Sequence, residues 1–257
     1  MSNTPRLDLK LAGKSAWVLG ASGAIGSAIA VLLADLGVEV WLSGRNQMKL
    51  QEVCDRITQA GGRASIQVLD ATRSEAVDAV ANAIVREAGR IDILVNSTAL
   101  PTFGKFTDLT DADWDRTFQS KLMVYVRTMR AVLPHMIEVG GGTIVNISGK
   151  AGRLPSRAHL PGGSMNAAIN LLTKGIADAY QHQGIRANTI APGPIVSERL
   201  NALNAQLATI STANPEFMAR KGEPEDVAHA VAWLASPLSA YMNGIVLPVD
   251  GGSIPTV

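Results

Sequence analysis

Short apolar runs alternate with longer stretches of helical periodicity along the whole chain. Residues 15–20, 38–43, 64–69, 91–95, 143–148, 185–190 and 245–249 are rich in Val, Ile, Leu, Ala and Trp, and their length predicts seven strands. Residues 24–37, 46–60, 74–89, 111–139, 163–183 and 225–235 carry helical spacing. Gly37, Gly61 and Gly89 supply stop signals after the first three of these. Pro134 is expected to bend the last turns of the long helix over 111–139.

A strand followed by a helix must return across the sheet before the next strand begins, so the alternation predicts parallel pairing. Parallel strands are covered on both faces, and continuous apolar runs fit that environment. The expectation is an α/β fold: a doubly wound parallel sheet of about seven strands in three layers, α/β/α, with residues 1–257 as one domain. No linker, repeat or low-complexity tract interrupts it. Residues 197–221 form the one long irregular stretch, rich in Ala, Asn, Ser and Thr. It reads equally as a helical lid or as a plain surface excursion.

Composition narrows the classes. The 257 residues are 47% hydrophobic and 18% charged, with a formal net charge of +1, as in a soluble enzyme-like domain. That balance provides no basic face, so nucleic acid and membrane are not expected partners. Cys54 is the sole cysteine, which excludes an internal disulfide and a cysteine metal cluster. The first ten residues lack the apolar core of a signal peptide, and no apolar run spans a bilayer. The cytoplasm is the expected compartment and a small molecule the expected substrate.

The first strand and the first helix are joined by Gly20-Ala21-Ser22-Gly23-Ala24-Ile25-Gly26. Glycines there let the backbone turn tightly and approach a pyrophosphate, while the following helix aims free N–H groups and its positive dipole end at the phosphates. Placed between strand and helix, the loop outweighs an ordinary glycine-rich turn and points to a Rossmann-type dinucleotide site.

The loop resembles the Thr-Gly-x-x-x-Gly-x-Gly fingerprint of the short-chain dehydrogenase/reductase family. Gly20 and Gly26 match, Leu19 takes the Thr place, and Ala24 replaces the middle glycine. The resemblance extends over nearly the whole chain. Ile91-Asp92-Ile93-Leu94-Val95-Asn96 is similar to the family's fourth-strand motif, with its Asn-Asn-Ala-Gly ending here Asn96-Ser97-Thr98-Ala99. Arg186-Ala187-Asn188, Ala191-Pro192-Gly193-Pro194-Ile195 and the tail from Gly244 to Gly252 also match. The resemblance implies that Asp70, with Ala71 beside it, meets the adenine, that Asn96 belongs to the cofactor site, and that Pro192, Gly193, Ile195 and Ser197 meet the nicotinamide amide. It implies a homotetramer or homodimer. An acid at the end of the second strand would favour NAD through the ribose hydroxyls. Gly44 stands there, followed by Arg45, whose guanidinium suits a 2′-phosphate. NADP(H) is therefore expected over NAD(H), with Ser22 and Asn46 as helpers.

The family's Asn-Ser-Tyr-Lys tetrad is replaced throughout. Alignment by flanking motifs puts those positions at Lys121, Gly149, Gly162 and Asn166. No tyrosine lies between Tyr125 and Tyr180, so no small shift restores the acid. An unperturbed phenol has a pKa of ~10 and needs a cation beside it to work near neutrality. Amide and ammonium have exchanged places. Either the Lys121 ammonium reaches the nicotinamide ribose or a substrate oxyanion while Asn166 supplies hydrogen bonds, or Lys121 runs out to solvent and the site has decayed. The remaining candidates are Lys150 after the fifth strand, His159 three residues before Gly162, the hydroxyls of Ser148 and Ser164, and Arg153 and Arg157 for an anionic substrate. His159 has the chemistry best suited to proton transfer. Three functions stay open: an NADP(H)-dependent oxidoreductase with a non-standard proton donor, a nonredox isomerase, lyase or cyclase, and an inactive nucleotide-binding subunit.

Overall fold

A computed structural model describes residues 7–100, 102–197 and 221–254. Seven parallel strands make one sheet in the order β3-β2-β1-β4-β5-β6-β7. They are β1 (Ser15–Leu19), β2 (Glu39–Gly44), β3 (Arg63–Val68), β4 (Ile93–Asn96), β5 (Gly142–Ile147), β6 (Ile185–Pro192) and β7 (Val246–Val249). The helices are α1 (Ala24–Asp35), α2 (Gln47–Gln59), α3 (Ser74–Ala88), α4 (Asp111–Thr117), α5 (Met123–Glu138), α6 (Leu160–Tyr180) and α7 (Pro224–Ala235). The expected doubly wound sheet is the one observed. Most of the proposed lid stretch, 198–220, lies outside the described residues.

Alternation along each strand feeds two cores. Ala16 and Val18 of β1 join Ile29 and Leu33 of α1 and Val231 of α7 on one face. Trp17 and Leu19 join Val77 of α3, Met129 of α5 and Ile169 of α6 on the other. Trp17 lies opposite Trp41 in the β1–β2 register, and both are buried. The Trp17 indole N–H donates to Ser43 Oγ at 2.8 Å, so its polar edge is satisfied inside the apolar layer. Each fully buried side chain of Leu or Ile size contributes roughly 1.5–3 kcal/mol.

The structure adds a local feature to the long helix over 111–139. It is one unbroken helical run in which a π-helical segment at Phe118–Leu122 joins α4 to α5. Thr110 caps α4 through a capping box with Asp113. Pro134 lies inside α5, which continues to Glu138. Helix α6 starts at Leu160, earlier than its periodicity indicates, because Pro161 fits a first turn where no N–H is needed.

At the amino edge of the sheet, Arg186 of β6 ties β5, α7 and the turn before β7 together. Its guanidinium donates to the carbonyls of Leu234, Ser236, Ser239 and Met242 and to the hydroxyls of Thr143 and Ser239. Burial lowers its pKa, yet a guanidinium stays charged at any working pH.

Candidate cofactor and active site

The order of strands reverses between β1 and β4, and in open α/β sheets the crevice at such a switch point takes the ligand. The glycine loop sits there. Gly20 has φ +80, and a Cβ on it would lie 2.4 Å from the Ser97 carbonyl oxygen. A Cβ on Gly26 would lie 2.2 Å from the Gly20 carbonyl oxygen. Both glycines are thus fixed by close backbone approach. Gly23 is different: its nearest contact is 3.4 Å away. The Gly20 and Ala21 N–H groups both donate to the Ser43 carbonyl, pinning the loop to β2. Gly23 is the N-cap of α1, and that helix carries no acid in its first turn, so nothing opposes an anion at its positive end.

Ser22 Oγ lies 3.0 Å from where a Gly44 Cβ would be, beside Arg45. The Asn46 side chain accepts the Lys49 N–H at 3.0 Å and caps α2, a local role that its sequence position did not suggest. Asp70 accepts the hydroxyl of Thr72 at 2.7 Å and its N–H at 3.1 Å. Those bonds, then the charges of Arg45 and Arg73, hold its carboxyl below the usual range. Ala71 is buried beside it.

Asn96 does not face the crevice. It is fully buried, donates to Asn146 Oδ1 at 2.9 Å and accepts from the Thr128 hydroxyl at 2.8 Å. Asn146 in turn donates to Thr173 Oγ1 at 2.9 Å. Its carboxamide therefore belongs to a buried polar network between the sheet, α5 and α6. Gly193 also has a packing reason: a Cβ there would meet Asp250 Cα at 2.8 Å. Ile195 is buried and bridges to Gly222, and Ser197 Oγ donates to the Ile195 carbonyl.

The π-helical segment carries Lys121. Its side chain is 5% exposed, so it does not run out to solvent. Nζ donates to the Thr98 carbonyl at 3.2 Å and stands 5.6 Å from the Tyr125 ring centroid. The Tyr125 hydroxyl reaches the Ile147 carbonyl at 2.8 Å and the Thr98 carbonyl at 3.3 Å. The ends of β4 and β5 are thereby joined to this helix. An inserted residue of the π type re-aims side chains and often marks a functional site; the sequence 118–122 gave no signal of it.

Asn166 is 5% exposed and its Oδ1 has no hydrogen-bond partner. An unsatisfied buried acceptor costs about 1–3 kcal/mol. Its Nδ2 lies 2.8 Å from where a Gly149 Cβ would be, and Gly149 has φ +155. His159 Nδ1 is 2.9 Å from the Thr102 carbonyl and its ring stacks on Phe103 at 4.5 Å. Lys150 is half-buried at the start of a 3-10 turn, Lys150–Gly152. Ser148 Oγ turns back to the Ile190 carbonyl, and Ser164, Arg153 and Arg157 are exposed. Among the described residues no group of His, Cys, Asp or Glu can hold a metal, and no helix is long and apolar enough to cross a membrane.

Residues 20–253 match the family model described as enoyl-(acyl carrier protein) reductase. The chain is 33% identical to a 3-oxoacyl-[acyl-carrier-protein] reductase of Vibrio cholerae, covering 95% of this chain and 98% of that one. It is 32% identical to a peroxisomal 2,4-dienoyl-CoA reductase of Pongo abelii, covering 95% and 84%. Its fold is similar to that of L-sorbose reductase from Gluconobacter frateurii complexed with NADPH and L-sorbose, with a TM-score of 0.91, 27% identity, and 98% and 100% coverage. With fold, crevice and sequence in agreement over nearly its full length, the chain belongs to the short-chain dehydrogenase/reductase family.

Proposed function

We propose that the chain is an NADP(H)-dependent oxidoreductase acting on a small molecule, with a proton donor other than an α6 tyrosine. The observation that carries this reading is the close backbone approach at Gly20 and Gly26 beneath the open N-terminus of α1. That cradle fits a pyrophosphate. When bound, the nicotinamide supplies or accepts the hydride.

The chain's own residues do the rest. The N–H groups at Ala24, Ile25 and Gly26 lack intrahelical acceptors and face the phosphates. Arg45 and Ser22 take the 2′-phosphate, with the Asn46 amide nitrogen in support. Asp70, ionised at neutral pH, accepts from the adenine amino group above Ala71. Pro192, Gly193, Ile195 and Ser197 line the nicotinamide side. Lys121 holds its ammonium beside the Thr98 carbonyl, where it can meet a ribose hydroxyl or substrate oxyanion. Asn166 offers its unpaired Oδ1 to a ligand hydroxyl. The tetrad positions Lys121, Gly149, Gly162 and Asn166 therefore work as a rearranged set. A second copy of the chain covers the apolar groove formed by Val126, Met129 and Leu133 of α5 with Leu172, Ile176 and Tyr180 of α6, giving a homodimer or homotetramer.

Two measurements test the reading. NADPH consumption is followed with a ketone, an enone and an imine; consumption of any one supports it. Tight NADPH binding without consumption of any would favour a nonredox enzyme or an inactive subunit. Arg45→Ala should weaken NADPH by about 30-fold, which is about 2 kcal/mol, and leave NADH unchanged. Equal losses for both would remove Arg45 from the 2′-phosphate.

A further inference from the structure

Two glycines of the site have no room for a side chain, and in each case a neighbouring polar group fills the room. A Cβ on Gly162 would lie 2.0 Å from Nε2 and 2.1 Å from Cε1 of His159. A Cβ on Gly149 would lie 2.8 Å from Nδ2 of Asn166. Gly162 lies inside α6 and needs no left-handed backbone, so space is the reason for glycine there. The two glycines and the two polar side chains form matched pairs: 162 with 159, and 149 with 166.

The imidazole is held from several sides. A carbonyl can only accept, so the 2.9 Å contact to Thr102 places the proton on Nδ1. Phe103 stacks on the ring, tilted by 31°. Thr102 is tied to Thr117 through their hydroxyls at 2.8 Å. The Gly104 N–H donates to the Ala158 carbonyl at 3.1 Å and joins the two loops. With Nδ1 protonated and held, Nε2 is the atom that exchanges a proton, and its edge faces Gly162.

We infer that His159 Nε2 is the proton-transfer atom of this site and that the Asn166 carboxamide binds the reacting substrate oxygen, the substrate being a carbonyl compound. This rests on the redox reading above. In the reducing direction a hydride from the reduced nicotinamide dinucleotide bonds to the carbonyl carbon. The C=O π pair moves to oxygen, where the Asn166 Nδ2–H group donates. The Nε2–H bond of the imidazolium breaks as the new O–H bond forms. The products are the alcohol, the oxidised dinucleotide and a neutral imidazole that keeps Nδ1–H on the Thr102 carbonyl. Solvent returns the proton to Nε2.

The test uses the full chain, NADPH and three probes: ethyl acetoacetate, cyclohex-2-enone and 2-methyl-1-pyrroline. With ethyl acetoacetate, His159→Ala should lower kcat about 100-fold and leave the NADPH Kd unchanged. Imidazole added to the buffer should restore part of that kcat in His159→Ala. It should restore none in His159→Ala/Gly162→Ala, whose methyl occupies the vacated space. A second readout needs no substrate. Gly162→Ala should lower the melting temperature although alanine is the better helix former, and adding His159→Ala should raise it again. Gly162→Ala as stable as the parent would show that the ring does not fill the slot and would overturn the inference. So would a His159→Ala enzyme as fast as the parent on ethyl acetoacetate, or a parent that consumes NADPH only with the enone or imine. A parent chain that consumes NADPH with none of the probes fails at the redox reading itself, and the melting cycle still reports on the slot.

Discussion

Gly26→Ala should weaken NADPH binding by about 100-fold or more, a loss of about 2.7 kcal/mol. The added methyl would sit 2.2 Å from the Gly20 carbonyl oxygen, 2.7 Å from its carbon and 3.1 Å from Ala21 Cα. All three are backbone atoms, so no side chain can swing away to relieve the contact. The loop must move off α1, and the helix N–H groups then lose their aim at the pyrophosphate. Forced overpacking of this kind also costs typically 1–3 kcal/mol of stability. Gly23→Ala is the matched control. Its methyl meets nothing closer than 3.4 Å, so the ligand-free chain should stay within about 1 kcal/mol of the parent. Calorimetric titration with NADPH and urea unfolding read the two effects. A change in Kd under about five-fold for Gly26→Ala would mean that the loop does not hold the dinucleotide.

Arg186→Leu should lower the free energy of unfolding by about 4 kcal/mol. The substitution removes a buried guanidinium that donates to four carbonyls and two hydroxyls, leaving each carbonyl with at least one other protein donor. Two of those carbonyls, on Leu234 and Ser236, end α7, where a cation also offsets the helix dipole. Arg186→Lys should recover only part of the loss, since an ammonium has three donors and no planar fork. Urea unfolding with an unchanged m-value is the measurement. A loss below about 1 kcal/mol would show that water takes over these carbonyls at little cost.

The strands and their pairing were legible because a parallel sheet buried on both faces leaves long apolar runs. The tight glycine loop was legible because its glycines lie between a strand and a helix. Other features were hidden for physical reasons. The π turn at Lys121 shifts the backbone pairing by one residue and leaves no residue-type mark in Phe118-Gln119-Ser120-Lys121-Leu122. The core position of the Asn96 side chain beside Thr128 and Asn146 was hidden because the end of a strand does not reveal which face a side chain takes. The crowding of Gly193 against Asp250 was hidden because it comes from residues far along the chain. His159 could be selected for its chemistry, but its ring filling the space beside Gly162 depends on the loop that turns it there.

An NADP(H) site built from the glycine loop and Arg45 should distinguish the two dinucleotides. Titration of the purified chain with NADPH and with NADH, each followed by thermal unfolding, tests it most directly. NADPH should bind at least about 30-fold tighter than NADH, and at one hundred times its Kd it should stabilise the fold by about 2.7 kcal/mol. Equal affinity for the two would contradict the 2′-phosphate assignment, and no stabilisation by either would contradict the cofactor site.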